Sequence, residues 1–169
     1  MTLLKTVNAT RRSIMRSLTR GLGKSSLGGS SISSLSDIKS ILICRPNHRL
    51  GNQLLITPLL AEVAEVLPHA KVDLFVKGTI APILFREYPN VRRIIMLPKR
   101  PGKHLMSYLG AWLAIRRTRY DLVINVVNHS SSGKIAARTA NARIRFLGEI
   151  DDDTISRHHD HKHMAKYPV

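Results

Sequence analysis

The chain has 169 residues, a length that suits one compact domain, since single hydrophobic cores usually organise on the order of 100–150 residues. Its hydrophobic fraction of 43% and charged fraction of 22% are ordinary for a globular protein, and no apolar run approaches the roughly 20 residues of a membrane-spanning helix. We therefore exclude an integral membrane protein. The 27 lysines and arginines exceed the 11 aspartates and glutamates and give a formal net charge of +16, which indicates an anionic partner: nucleic acid, an anionic membrane surface or a phosphorylated sugar. The single cysteine, Cys44, excludes an internal disulfide and a multi-thiolate metal site.

Residues 1–36 form a basic arm with no acidic residue before position 37. Its first part has apolar residues near helical spacing, but Arg11 interrupts the stripe and two glycines end it, and residues 25–36 read as a flexible Ser/Gly-rich linker. Four interpretations stand: a solvated disordered tail, an amphipathic helix on an anionic membrane, a targeting peptide and a nucleic-acid tail. We favour the solvated tail slightly over the membrane helix, and a secretory signal is disfavoured because no continuous apolar core follows the first lysine.

From residue 38 onward, short apolar segments alternate with helical patterns. The predicted strands cover residues 38–44, 71–76, 93–97, 120–127 and 144–147, and the predicted helices cover residues 53–67, 79–88, 104–117 and 131–140. Parallel strands require crossovers that cover both faces of their sheet. We therefore predict an α/β fold, a Rossmann-like three-layer sandwich with a mainly parallel sheet, in a domain of residues 37–150. The strand at 120–127 is too apolar for an exposed edge.

In such folds a ligand binds beyond the carboxyl ends of the strands, where the strand order reverses, usually between the first and fourth strands. This places two polar loops, residues 45–52 and 125–133, at the predicted site. The candidate binding residues in them are Arg45, His48, Arg49, Gly51, Asn128 and His129. Arginine forks suit phosphate or carboxylate groups. The alternative is that both are ordinary surface loops, with Gly51 at a turn that requires a positive φ. Neither a Gly-x-Gly-x-x-Gly nor a Walker sequence follows the first strand, so dinucleotide and nucleotide-triphosphatase interpretations have little support.

The helix after the first loop has two possible starts. Thr57 and Pro58 could be its N-cap and first position, or Pro58 could kink a helix that begins near Asn52.

Five segments in order carry a resemblance to a known family. Residues 41–45 (ILICR) and 49–60 (RLGNQLLITPLL) resemble the opening motif of the heptosyltransferases, glycosyltransferase family nine, in which a strand ending in arginine leads to a Leu-Gly-Asp turn and a helix containing Thr-x-Pro. Three later segments also resemble the family. The entry to its second strand resembles residues 68–74, the approach to its third strand resembles residues 88–91, and its fourth strand resembles residues 120–125. The match covers about residues 38–150.

The resemblance implies the amino-terminal half of a two-domain GT-B glycosyltransferase. Such an enzyme transfers a sugar from a nucleotide-sugar donor, ADP-heptose in the namesake members, to a lipopolysaccharide-core acceptor at the cytoplasmic face of the inner membrane. The amino-terminal domain holds the acceptor, and the donor site lies mainly in the second domain. The resemblance thus implies an anionic glycolipid or sugar-phosphate acceptor, a cytoplasmic protein in peripheral contact with an anionic membrane, no metal and no further cofactor.

One departure from the family concerns the proposed base, because Asn52 stands where the family has the aspartate. A carboxamide has no useful basicity, so Asn52 could orient an acceptor hydroxyl or cap the helix but could not take its proton. His48 in the same loop is a possible substitute base, beside the plainer interpretation of a solvated histidine, and His129 is a similar candidate. Arg45, Arg49, Gly51, Asn128 and His129 remain the expected substrate-binding residues.

Two functions therefore compete. The first is a heptosyltransferase-like enzyme whose acceptor half is inactive alone, and the second is a non-catalytic binding module for an anionic glycolipid or another polyanion. A nucleic-acid binder is disfavoured by an aromatic content of 5% and by the lack of a nucleic-acid motif. The sequence makes no prediction of the oligomeric state.

Residues 151–169 form an acidic and histidine-rich tail that, in the family, would lead to the second domain. His159 and His163 would share a helix face, and Asp160 could add an oxygen ligand to a metal. The spacing matches no His-Glu-x-x-His site, and dense histidines often titrate freely in a loop, so we expect no functional metal.

Overall fold

The computed structural model describes residues 35–127 and 130–148, which form a parallel sheet with helices on both faces. The strands are β1 (Ser40–Arg45), β2 (Lys71–Lys77), β3 (Val91–Leu97), β4 (Arg119–Asn125) and β5 (Asn141–Phe146). The helices are α1 (Leu50–Leu54), α2 (Thr57–Val66), α3 (Ala81–Phe85), α4 (Leu105–Arg117) and α5 (Ser131–Thr139), with single 3-10 turns at Leu35–Asp37 and Pro101–Lys103. Residues 1–34 and 149–169 lie outside the described residues, as do Asn128 and His129, so the predicted arm and tail stay predictions.

The strand order is β3-β2-β1-β4-β5, and every pairing is parallel. The order reverses between β1 and β4, the predicted switch point, and β4 lies inside the sheet between β1 and β5 as its apolar sequence indicated. The predicted α/β fold class is confirmed.

Each face of the sheet has its own core, because alternate residues of a strand point to opposite faces. Ile43 of β1 belongs to the cluster that contains Leu60 of α2 and Phe85 of α3. Leu42, its neighbour in the chain, belongs to the cluster on the opposite face that contains residues of α4 and α5. The result is the predicted three-layer sandwich, with β1 buried over most of its length.

The region after β1 differs most from the prediction. The predicted loop to Asn52 ends at Arg49, and the single predicted helix at 53–67 is two helices, α1 and α2. Pro58 lies in the first turn of α2, where its missing N–H breaks no helical bond, and the Thr57 hydroxyl donates to the carbonyl of Leu54. The chain therefore bends between the helices, and Thr57 is the first helical residue rather than the N-cap.

A buried carboxylate lies near the amino ends of the strands, on the α4 side of the sheet. Arg92 donates to both oxygens of Asp73 at 2.9 and 3.1 Å, Arg93 donates to Oδ2 at 2.6 Å, and the Tyr120 hydroxyl donates to Oδ2 at 2.8 Å. Burial alone would raise the pKa of Asp73, but these hydrogen bonds outweigh it and hold the pKa below the ordinary value. Burial and the neighbouring carboxylate raise the pKa of Tyr120 to about 12. This network joins β2, β3 and β4 at the edge opposite the predicted site.

Within residues 35–127 and 130–148, no helix has the length and apolarity needed to cross a bilayer. The same residues contain no group of three histidine, cysteine, aspartate or glutamate side chains placed to hold a metal ion.

Candidate functional site: the carboxyl edge of the sheet

Because all five strands are parallel, the loops that follow them lie at one edge of the sheet. We call the described loop residues 46–49, 78–80, 98–104, 126–127 and 130 the carboxyl-edge loops. They contain arginine, lysine and histidine but no aspartate or glutamate. The six carboxylates of the described residues lie elsewhere, at Asp37, Glu62, Glu65, Asp73, Glu87 and Asp121. Within the described residues, this edge is therefore suited to hold an anion and supplies no carboxylate base.

The strongest single feature of this edge is Arg45, the last residue of β1. Its side chain is 4% exposed, and neither Nε nor Nη1 has a hydrogen-bond partner among the described residues. Burial lowers the pKa of Arg45, but a guanidinium remains charged at neutral pH. A buried charge without a partner is unfavourable, and an anionic ligand that accepts these N–H groups would remove the penalty.

The loop after β1 is held in place by its own side chains and by the end of β2. Asn47 Oδ1 accepts the Arg49 backbone N–H at 3.0 Å. Gln53 Nε2 donates to the carbonyl of Asn47 at 2.8 Å and to that of Lys77 at 3.0 Å. Gln53 is fully buried, and the sequence analysis did not single it out. In the sequence it is the first residue of the predicted helix and directly follows Asn52, and neither feature indicates burial.

The loops after β1, β2 and β3 meet at Gly78. This glycine has a φ of +89°, which favours glycine, and a Cβ placed on it would lie 3.1 Å from Lys99 Cε and 3.2 Å from His48 Cβ. The exposed side chains of His48 and Lys99 therefore lie beside the same glycine. Lys99 is a site residue that was not among the predicted ones, although a lysine two residues after the third strand could have suggested it.

Gly51 and Asn52 lie inside α1 rather than in a loop. Gly51 has no positive φ, and a Cβ on it would meet open space, so the alternative interpretation of Gly51 as a turn residue that requires a positive φ is wrong. Asn52 is partly buried, and its carboxamide makes no hydrogen bond to the described residues. It does not cap α1, because the N-cap position belongs to Arg49, which makes no side-chain cap.

The predicted loop after β4 is anchored by structural contacts. Asn125 is fully buried and donates to the carbonyls of Val127 and Leu147 at 2.8 and 2.9 Å. Ser130 caps α5 by accepting the Gly133 N–H at 3.2 Å, and a Cβ on Gly133 would overlap the Asn125 carboxamide oxygen. These contacts hold in place the end of β4 and the start of α5, the two elements on either side of the loop. The candidate residues Asn128 and His129 lie outside the described residues, so their role stays a prediction.

The chemistry available at this edge follows from its side chains. Arg45, Arg49 and Lys99 can hold anionic oxygens, and an exposed imidazole such as His48 is the side-chain type there that can take a proton. The free thiol of Cys44 is buried one residue before Arg45, and burial raises its pKa, so it offers no nucleophile. The edge can therefore bind and orient an anionic substrate.

Two solved structures with the same fold are named as a glycosyl transferase and a heptosyltransferase. The chain superimposes with a TM-score of 0.53 on a glycosyl transferase family 9 protein from Veillonella parvula at 23% identity, covering 63% of this chain and 30% of that one. It superimposes with a TM-score of 0.52 on the Escherichia coli heptosyltransferase WaaC with ADP at 21% identity, covering 61% of this chain and 34% of that one. These matches establish the fold.

In sequence, the chain is 25% identical over 99 residues to lipopolysaccharide heptosyltransferase 3 of Escherichia coli, which is 57% of this chain and 28% of that protein. No protein-family profile matches the chain. The resemblance to glycosyltransferase family nine is thus confirmed by sequence and fold together, and the chain spans less than a third of that relative's length.

Proposed function

We propose that this chain is the acceptor-binding half of a heptosyltransferase-like glycosyltransferase, and that it holds the anionic acceptor at the carboxyl edge of its sheet. The observation that carries the proposal is the buried Arg45 guanidinium, whose Nε and Nη1 have no hydrogen-bond partner among the described residues, beside loops that contain no carboxylate. The family resemblance supports the reaction class.

The side chains of the edge favour a phosphorylated acceptor over a neutral sugar. A phosphate offers several strong acceptor oxygens that match the planar fork of an arginine, and Arg49 and Lys99 would add positive charge around it. A neutral sugar would leave the buried guanidinium uncompensated. The proposed acceptor is therefore an anionic glycolipid or a sugar phosphate of the lipopolysaccharide core, met at the cytoplasmic face of the inner membrane.

Sugar transfer needs two further elements: a base for the acceptor hydroxyl, and groups that balance the charge of the departing diphosphate. The carboxyl-edge loops supply no carboxylate base, and Asn52 cannot replace one. We propose that the nucleotide-sugar donor is bound mainly by a second domain and that this chain alone binds acceptor without transferring sugar. His48 is the base candidate within the described residues.

The alternative proposal is a non-catalytic module that uses the same edge to bind an anionic glycolipid or another polyanion. Asn52 at the family's base position, together with the lack of any carboxylate in the carboxyl-edge loops, favours it. The two proposals share the binding site and differ in whether turnover exists.

Transfer assays with two proteins separate them: this chain, and a version extended into the adjoining reading frame. ADP- and UDP-sugars would be offered with a lipopolysaccharide-core acceptor, and transfer would be followed by mass spectrometry. We expect transfer by the extended form only. If the extended form neither binds nor hydrolyses any nucleotide sugar while this chain still binds the acceptor, the enzyme proposal fails and the binding module stands.

A further inference from the structure

Helix α4 exposes an apolar surface that nothing in the described structure covers. Leu105, Leu109 and Leu113 are 57%, 53% and 43% exposed and lie at i, i+4 and i+8, on one side of the helix. Met106 is 82% exposed and lies beside them. We call these four side chains the α4 surface.

This surface is not what attaches α4 to the sheet. The opposite side of the helix does so, through the buried Ala111 and Ile115 and the partly buried Trp112, whose ring contacts Phe75 edge-on at 5.3 Å between centroids. A surface helix normally carries charged residues on its solvent side, yet residues 105–115 contain none. Clustered exposed apolar side chains of this kind mark an interaction site.

Positive charges flank the α4 surface at both ends. Residues 98–119 contain no aspartate or glutamate. The exposed cations before the helix and around its end are Lys99, Arg100, Lys103, Arg116, Arg117 and Arg119. Across residues 88–148 the only carboxylate is Asp121, whose oxygen accepts the backbone N–H groups of Lys39 and Ser40 and is thereby engaged. An apolar centre with cationic margins is the pattern of a helix that lies in an anionic lipid interface.

We propose that the α4 surface docks this protein onto an anionic membrane, with the leucines and Met106 entering the headgroup boundary and the flanking cations contacting lipid phosphates. Charge favours this occupant over two others. A second copy would bring the same cations against each other, and the basic arm of residues 1–34 would add further positive charge. The inference is independent of sugar transfer, because the vesicles that test it contain neither acceptor nor donor.

The test is sedimentation of the full chain with vesicles of phosphatidylcholine alone or with about one quarter phosphatidylglycerol. We expect binding to the anionic vesicles that weakens as salt is added, and much weaker binding to the neutral ones. Met106→Asp should weaken binding to the anionic vesicles by about tenfold or more, since it removes buried apolar area and adds a repelled charge.

The matched control is Ile83→Asp, which places the same charge at a side chain that is 83% exposed on α3, in the opposite helical layer. This variant should bind vesicles nearly as the parent does, and circular dichroism should show that both variants stay folded. The double substitution Arg116→Gln with Arg117→Gln should weaken anionic binding by roughly fivefold per charge removed.

Equal vesicle binding by the parent and Met106→Asp would overturn the proposal, and so would a parent that binds no anionic vesicles. A dimer in sedimentation equilibrium that Met106→Asp dissociates would assign the α4 surface to a second copy instead. A monomer without vesicle affinity would point to cover by another segment of the chain, including the acidic tail.

Discussion

Arg45 is deeply buried and has two N–H groups that no described residue accepts. The change in the free energy of unfolding when Arg45 is replaced should distinguish a binding role from a structural one. Arg45→Met removes the buried charge and keeps much of the volume. We expect the free energy of unfolding to stay unchanged or to rise by about 1 kcal/mol, because an uncompensated buried charge is replaced by an apolar side chain. Urea denaturation measures it. A loss of about 3 kcal/mol would mean that the guanidinium has a structural partner.

Asp73 represents the opposite case at the same scale, since all its partners belong to the protein. Asp73→Asn leaves Arg92, Arg93 and Tyr120 without their carboxylate, and we expect it to lower the free energy of unfolding by about 2 kcal/mol. This is less than the loss expected for a fully buried ion pair, because the two arginine side chains are partly exposed. Urea denaturation at neutral pH checks this. Glu62→Gln, at an exposed site on α2, is the control and should have little effect.

The pH dependence of that loss follows from the lowered pKa of Asp73. A carboxyl whose folded pKa is depressed stabilises the fold at pH values above its unfolded pKa, and that contribution disappears as the pH falls through the folded pKa. The stability difference between the parent and Asp73→Asn should therefore be full at neutral pH and shrink below the ordinary value of 3.8. A difference that stays constant as the pH is lowered well below 3.8 would contradict the Asp73 network.

At the scale of the element, α1 holds the family motif on a helix instead of a loop. Gly51→Ala should leave stability unchanged or raise it by up to about 1 kcal/mol, since the backbone is helical and a Cβ has open space. If the acceptor approaches this turn closely, the same substitution weakens acceptor binding. Gly110→Ala in α4, where a Cβ also meets nothing, is the control and should gain stability without affecting acceptor affinity. Thermal melts and acceptor titrations on both variants measure the two effects, and equal affinities would remove Gly51 from the site.

Elements with a clear hydrophobic period were predictable, and the contacts between elements were not. The buried strands β1 and β4 follow from their apolar runs, and the switch point follows from the parallel order. Gln53 and Lys99 were missed because their roles depend on distant neighbours: the carbonyl of Lys77 for Gln53, and the approach to Gly78 for Lys99. Gly51 was placed in a loop because the helix that begins at Leu50 has no capping side chain, which is the usual sequence signal of a helix start.

At the scale of the whole molecule, the described charges differ between the two edges of the sheet, and the exposed apolar surface of α4 lies on one of the two helical layers. The described carboxylates lie away from the carboxyl-edge loops, and the α4 surface lies on one helical layer. An acceptor anchored in a membrane could thus reach the edge while α4 contacts the same membrane, which is a consequence of the two proposals taken together.

The base position gives a prediction for the extended protein. Asn52→Asp should raise its sugar-transfer turnover if the family's aspartate role applies, because a carboxylate can take the acceptor proton. In the extended protein with Asn52 unchanged, His48→Ala should lower turnover if the imidazole substitutes as base. Initial-rate assays on the two single variants compare these roles, and unchanged turnover in both would exclude either side chain as the base.

The most direct test of the central claim is a calorimetric titration of the full chain with a hexose phosphate, compared among the parent, Arg45→Met and Arg119→Met. Arg119 is an exposed arginine at the start of β4, at the opposite edge of the sheet, and serves as the matched control. We predict that the parent and Arg119→Met bind the sugar phosphate with similar affinity and that Arg45→Met binds it at least about tenfold more weakly, while unphosphorylated hexose binds none of them. Equal affinity of Arg45→Met and the parent would contradict the assignment of the carboxyl edge as the anion-binding site.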